Sequence, residues 1–268
     1  MIIDFHTHTF PDAIAEKTLA YLAEKGNITP FCEATMSSLI ENMKQSGVDY
    51  SVVLPIATLP KQERTINRVS SEMNGKDHIF FAGAIHPDCE DVEGTLDYIK
   101  SIGLFGIKFH PDYQGVHFDD PRYVRIMREA AKRGLYIITH SGYDVAFRDH
   151  VHCTPDMILN VLKELKGLID GKLILAHLGG YDFPDEVLEK LIGLPVYMDT
   201  AAVLRLYPEK CKEIILRHGV DNILFASDSP WFSQSDYIEC IKSFELGQEA
   251  EEKIFHLNAE KILNIGLS

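Results

Sequence analysis

Eight short apolar runs, spaced at the interval of a strand–helix–strand unit, constrain this chain more than any other feature. They lie at residues 2–5, 50–54, 79–85, 104–109, 135–139, 172–176, 196–199 and 222–226. A βαβ unit takes about 30 residues, and each gap leaves room for one crossover. The runs are apolar nearly throughout rather than alternating, as strands buried on both faces are. The stretches between them read as helices. One spans 120–133, opened by Asp119-Asp120-Pro121 and closed by Gly134. Others run from Thr154-Pro155-Asp156 toward Gly167, from Phe183-Pro184-Asp185 toward Gly193, and over 204–218 before Gly219. A final helix is expected over 249–263. The long first gap accommodates two helices, 12–24 and 36–46. The first of these is extra to the repeat and reads as a candidate lid, or alternatively a subunit contact.

Eight βα units in 268 residues match a (β/α)8 TIM barrel, about 250 residues in one domain. No linker or composition shift divides residues 1–268. A doubly wound sheet lacks its usual marker, because no G-x-G-x-x-G or P-loop follows any strand. Apolar residues make up 46% and charged residues 25%, which excludes disordered and fibrous classes. The net charge of −14 repels polyanions and argues against nucleic-acid or anionic-membrane partners. No apolar run is long enough for a transmembrane helix, and a strand-like pattern begins at once, so no signal peptide is expected. The five cysteines, Cys32, Cys89, Cys153, Cys211 and Cys240, are scattered and form no C-x-x-C pair. They read as reduced thiols of a cytoplasmic protein.

The polar residues choose between barrel and open sheet. Five strand ends carry ionisable side chains: His6 and His8, Lys108 and His110, His140, His177, and Asp228. A barrel gathers such tips around one mouth, whereas an open sheet spreads them along a line. Side chains two apart share a strand face, so Asp4, His6 and His8 are expected to point one way and Ile3, Phe5 and Thr7 the other. Two imidazoles so placed can reach one cation, and neutral imidazoles with a carboxylate suit zinc better than calcium or magnesium. Each element also has a plainer reading. His140 can be a hydrogen-bonded core histidine, and Asp228 a turn or helix-cap residue. Lys108 is harder to explain structurally, since an unpaired buried ammonium is costly.

Taken in order, five segments carry a family resemblance: Asp4-Phe5-His6-Thr7-His8, Gly106-Ile107-Lys108-Phe109-His110-Pro111, Thr139-His140-Ser141-Gly142, Ala176-His177-Leu178-Gly179-Gly180 and Leu224-Phe225-Ala226-Ser227-Asp228-Ser229-Pro230-Trp231. They resemble the amidohydrolase superfamily, and within it the amidohydrolase family 2 branch of metal-dependent TIM barrels. The closing His256-Leu257-Asn258-Ala259-Glu260-Lys261-Ile262-Leu263 is similar to that family's last helix. TatD-like nucleases share the opening and the aspartate motif but place a glutamate where this chain has Lys108 and His110. The glycine-glutamate-histidine signature of the polymerase-and-histidinol-phosphatase group does not occur.

The resemblance implies one divalent metal, zinc or manganese, on His6, His8, His140 and Asp228. It implies His177 beside the reacting oxygen and Asp228 also as general base. A second metal on a carboxylated Lys108 is the less favoured variant, and Lys108 is preferred as an anion-binding group. Lys108, His110, Arg148 and Trp231 are the candidate substrate contacts. Asp144, His150 and His152 share the 141–153 loop with Arg148, and the last two read as surface histidines. The aromatics Phe105, Phe109, Tyr113, Phe118, Tyr143 and Phe147 suit either a planar substrate or ordinary packing. The branch contains hydrolases of C–N and C–O bonds and also non-oxidative decarboxylases. The expected activity is hydrolysis of a small carboxylate-bearing molecule, with decarboxylation of an aromatic or unsaturated acid second. A metal-stabilised binding protein without turnover is the reading from another class, and a homodimer is a habit of such barrels.

Overall fold

A computed structural model describes residues 1–147 and 149–266. Among the described residues nine short strands occupy eight positions: β1 Ile3–Thr7, β2 Tyr50–Val53, β3 Ile79–Phe81, β4 Gly83–Ala84, β5 Gly106–Phe109, β6 Tyr136–Thr139, β7 Leu173–Leu175, β8 Tyr197–Asp199 and β9 Ile223–Leu224. All pairings are parallel. β3 and β4 are one expected strand interrupted at Ala82, whose amide still reaches Val53 O at 3.1 Å. The first and last strands are joined by backbone bonds. Phe5 N donates to Phe225 O at 2.9 Å, Asp228 N to His6 O at 3.0 Å and His8 N to Ser229 O at 2.7 Å. The circuit therefore closes, and the structure is the TIM barrel expected from the repeat.

Helices α1 Asp12–Gly26, α2 Met36–Ser46, α3 Glu63–Met73, α4 Val92–Ser101, α5 Pro111–Gln114, α6 Pro121–Lys132, α7 Pro155–Glu164, α8 Pro184–Lys190, α9 Pro208–His218, α10 Gln234–Ser243, α11 Gln248–Glu252 and α12 Asn258–Leu263 follow the strands. Several starts obey local chemistry. Asp120 and Thr154 cap α6 and α7 by accepting from Arg122 N and Met157 N, and proline occupies the first helical turn of each. α9 begins at Pro208, later than the expected 204, because residues 201–206 form turns. The expected single closing helix is broken into α11 and α12 by a wider π turn over Lys253–Leu257. Helices α3, α4, α5 and α10 have no counterpart among the expected ones. Among the described residues no helix is long and apolar enough to cross a membrane.

Two cores follow from the alternation of side chains. Ile107, Ile137 and Leu173 are register partners and lie in the large layer between strands and helices. Lys108, Ile138 and Ile174 are the next partners and face the opposite way, into the barrel. That inner core also holds Ile3, Phe5, Val52, Leu54 and Leu224, packed against Ala259 and Ile262 of α12.

One expectation fails here. The register of β1 against β2 slips between Asp4 and Thr7, so two residues of β1 face one of β2. This bulge turns the strand, and strict alternation is lost. Phe5 and His6 both serve the interior. Asp4 instead accepts from Ser227 N at 3.0 Å, Ser227 Oγ at 2.5 Å and Gln234 Nε2 of α10 at 2.8 Å. Asp4 thus ties β1 to the segment carrying Asp228 and does not share the site with His6 and His8.

Gly106 lies against its register partner Tyr136 across the β5–β6 pair. A Cβ there would lie 2.6 Å from Tyr136 O and 3.0 Å from Tyr136 Cβ. Gly106→Ala must push the two strands apart and is expected to cost about 1–3 kcal/mol, read as a lower urea midpoint with an unchanged slope. An unchanged midpoint would show that this contact does not set the strand spacing.

Candidate active site at the barrel mouth

The C-terminal ends of the strands open into a cavity of about 1450 Å³. His6, His8, Lys108, His110, His140, His177, Asp228 and Trp231 all border it, so the barrel does gather the strand-end residues. Arg148 lies outside the described residues. α1 forms one wall through Ile14, Tyr21, Leu22 and Lys25. The Lys25 ammonium stands 3.7 Å from the Phe147 ring centroid and 5.2 Å from that of Tyr113, a cation–π contact between α1 and the walls opposite.

Within this mouth three ligand-competent atoms converge. His6 Nε2 is 3.2 Å from His8 Nε2 and 3.6 Å from Asp228 Oδ1, and His8 Nε2 is 3.3 Å from the same oxygen. The other ring nitrogens are occupied. His6 Nδ1 donates to Asp199 Oδ2 at 2.8 Å, and His8 Nδ1 to Leu54 O at 3.1 Å. Each ring therefore presents an unprotonated Nε2 to the same point, with a carboxylate oxygen as third member. Three acceptors facing one another repel unless a cation lies between them. Ligands on a tetrahedral zinc, bonded at about 2.0–2.1 Å, stand about 3.3 Å apart. The donor set and its spacing fit a divalent ion of that class. Burial and the neighbouring Lys108 hold His6 well below the ordinary imidazole range, which keeps it in the neutral, ligating form.

His140 stands apart from this trio. Its ring stacks on His110 at 4.3 Å and 8°, and its Nδ1 lies 2.9 Å from His177 Nε2. Its Nε2 is buried without a partner, 3.8 Å from Asp112 Oδ2, which is also unpartnered. His110, His140 and Asp144 form a second group whose ligand atoms lie within 4.8 Å of one another. Burial raises the Asp144 carboxyl to about 6. His177 donates from Nδ1 to Ala201 O at 3.0 Å, so its Nε2 accepts from His140. His177 and Asp228 both adopt left-handed backbone, with φ of 59° and 70°. Non-glycine residues reach that region at a cost, which tends to be tolerated at functional sites.

Lys108 is wholly buried, with Nζ 3.5 Å from His6 Nε2. Burial lowers its pKa to about 8 against the opposing pull of Asp199 and Asp228.

Sequence reasoning missed Asp199. Its carboxylate accepts from His6 Nδ1, from His177 N at 3.0 Å and from Ala201 N at 3.1 Å. The signal was present, since an acid ends an apolar strand at 196–199 just as Asp228 follows one. The six candidate aromatics divide. Tyr113, Tyr143 and Phe147 line the cavity. Phe105 meets Phe5 at the inner core, and Phe109 and Phe118 pack on Tyr123 in the outer layer.

Comparison with known proteins accords with this geometry. The chain is similar in fold to 2,6-dihydroxybenzoate decarboxylase from Rhizobium, with a TM-score of 0.74, 16% identity and 98% of each chain covered. It is similar to 5-carboxyvanillate decarboxylase from Sphingomonas paucimobilis, with a TM-score of 0.71, 14% identity, and 98% of this chain and 99% of the other covered. A probable 2-pyrone-4,6-dicarboxylic acid hydrolase from Acinetobacter baumannii gives a TM-score of 0.70 at 16% identity, over 98% of this chain and 99% of that one. No curated protein matches the chain by sequence. The sequence profile described as amidohydrolase matches residues 3–265. Nearly the whole barrel, from β1 to the segment after α12, thus falls within one metal-dependent enzyme family, and the binding-scaffold reading gives way: the chain belongs to the amidohydrolase family and is an enzyme of that superfamily.

Proposed function

We propose that this enzyme is a metal-dependent hydrolase of a small carboxylate-bearing substrate, cleaving a C–N or C–O bond. The observation that carries the reading is the convergence of His6 Nε2, His8 Nε2 and Asp228 Oδ1 on one point at the cavity floor. These three would hold one divalent ion, zinc or manganese, with His140 as the further ligand. The ion supplies Lewis acidity, lowering the pKa of water toward neutrality and polarising a substrate oxygen.

The remaining steps belong to the chain's own side chains. Asp228 would take a proton from the attacking water and return it to the leaving nitrogen or oxygen as the C–N or C–O bond breaks. His140 would offer the ion a ring nitrogen, and His177, beside it, would face an oxygen on which charge develops. Lys108 is the buried cation that would draw a substrate carboxylate inward. Tyr113, Tyr143, Phe147 and Trp231 would bracket a flat molecule, with His110 and Asp144 at its polar edge. Arg148, on the same loop, belongs to this substrate-binding set. The five free cysteines accord with a cytoplasmic setting.

Decarboxylation of an aromatic or unsaturated acid is the second reading, favoured by the aromatic lining and by Asp144. Burial pushes the Asp144 carboxyl up to about 6, so at mildly acid pH it holds a proton that an incipient carbanion needs. Labelling separates the two. Hydrolysis incorporates heavy oxygen from labelled water into product, whereas decarboxylation releases carbon dioxide and exchanges labelled bicarbonate into the acid.

His6→Ala and Asp228→Asn are expected to lose one equivalent of bound metal and abolish turnover while circular dichroism stays native. Full turnover in either variant would remove the proposed site. Lys108→Ala is expected to keep the metal content of the wild type and raise KM. Loss of one equivalent would instead identify a lysine-bridged pair. Asp199→Asn keeps the shape but weakens the orientation of His6, so metal retention against a competing chelator should fall about 10–100-fold. Retention equal to wild type would assign Asp199 to folding alone.

A further inference from the structure

Three histidines outside the mouth form an arrangement that the proposed reaction does not use. His117 follows α5, and His150 and His152 end the loop over the mouth. Their ligand atoms all lie within 4.8 Å of one another. The rings stand 4.9, 5.3 and 4.6 Å apart in pairs. His117 Nε2 and His150 Nε2 face each other at 2.6 Å, too close for two lone pairs without a proton or a cation between them.

His152 is held for ligation from behind. Its Nδ1 donates to Asp112 Oδ1 at 2.8 Å, and its backbone N–H reaches the same oxygen at 3.3 Å. The Asp112 side chain is fully buried, and its other oxygen has no partner. A carboxylate bonded to the far nitrogen of an imidazole fixes the tautomer and leaves Nε2 as the ligand, the usual supporting contact behind a metal-bound histidine. The backbone is fixed as well, since Phe118 N donates to His152 O at 2.8 Å.

We propose that His117, His150 and His152 bind a second transition-metal ion at the surface, with Asp112 as a positioning residue. Imidazole donors select zinc, copper or nickel over calcium and magnesium. His117 and His150 are exposed, so water completes the coordination. The ion ties the segment after α5 to the loop that carries Tyr143, Asp144 and Phe147 to the cavity. It braces the wall of the mouth and takes no part in bond cleavage.

The test titrates zinc into metal-stripped full-length protein and compares wild type with the exposed double variant His117→Ala/His150→Ala. Wild type is expected to bind one more equivalent than the double variant, and magnesium is expected not to displace it. His6→Ala should lose the equivalent at the mouth and keep this one, so the two sites fail separately. Asp112→Asn should weaken the surface equivalent about tenfold. Zinc should also slow proteolytic cleavage within residues 141–153 in wild type but not in the double variant. Equal stoichiometry in wild type and double variant would overturn the site and leave the three rings as a proton-sharing stack. Binding without protection of the loop would overturn the bracing role.

Discussion

Closure of the barrel between its first and last strands is the constraint on which the site depends. His6 and Asp228 are more than two hundred residues apart in sequence, yet the Asp228 amide donates to the His6 carbonyl and the His8 amide to Ser229. Asp4 reinforces this seam from behind by accepting three bonds from Ser227 and Gln234. Each bond to a charged group contributes about 1.5–3 kcal/mol. The seam therefore sets the spacing between the imidazoles and the carboxylate. A looser closure would leave the same residues present and the convergence lost.

The polar interior above the inner core is stable only as a mutually satisfying network. Lys108, Asp199, Asp228 and the imidazoles are buried together, and any one alone would carry a large desolvation penalty. Asp199 couples them. Burial pushes its carboxyl up while His177 and Lys108 pull it down. It binds the His6 ring and two backbone amides at once, fixing the tautomer of His6 and the entry of the chain into the strained turn at His177. His6 of the converging trio and His177 thus share one buried anchor.

Much of this was legible in the sequence because it rested on apolar periodicity and on strand-end chemistry. The strand positions, most helices and the gathering of five strand ends follow from those two signals. What escaped them has physical causes. Helix α3 buries Glu63, Asn67 and Ser70, polar residues at helical spacing, so a hydrophobic pattern cannot find it. Asn67 uses both ends of its amide on Ala84, supporting β4 where the strand is interrupted. The bulge in β1 has no compositional mark, and it invalidated the face assignment of Asp4 while leaving His6 and His8 together. Asp199 carried the same signal as Asp228 and was passed over. The surface triad required a fact no local spacing contains, that His117 lies beside His150 and His152.

The separation of His140 from the trio concentrates an energetic cost at one place in the mouth. His140 donates to His177, and its second nitrogen faces Asp112 across 3.8 Å without a hydrogen bond. Two buried polar atoms left unpaired at one place each forfeit about 1–3 kcal/mol. That cost falls on the same part of the mouth as the left-handed backbone of His177 and Asp228. The closed barrel beneath, with its buried apolar core, offsets both.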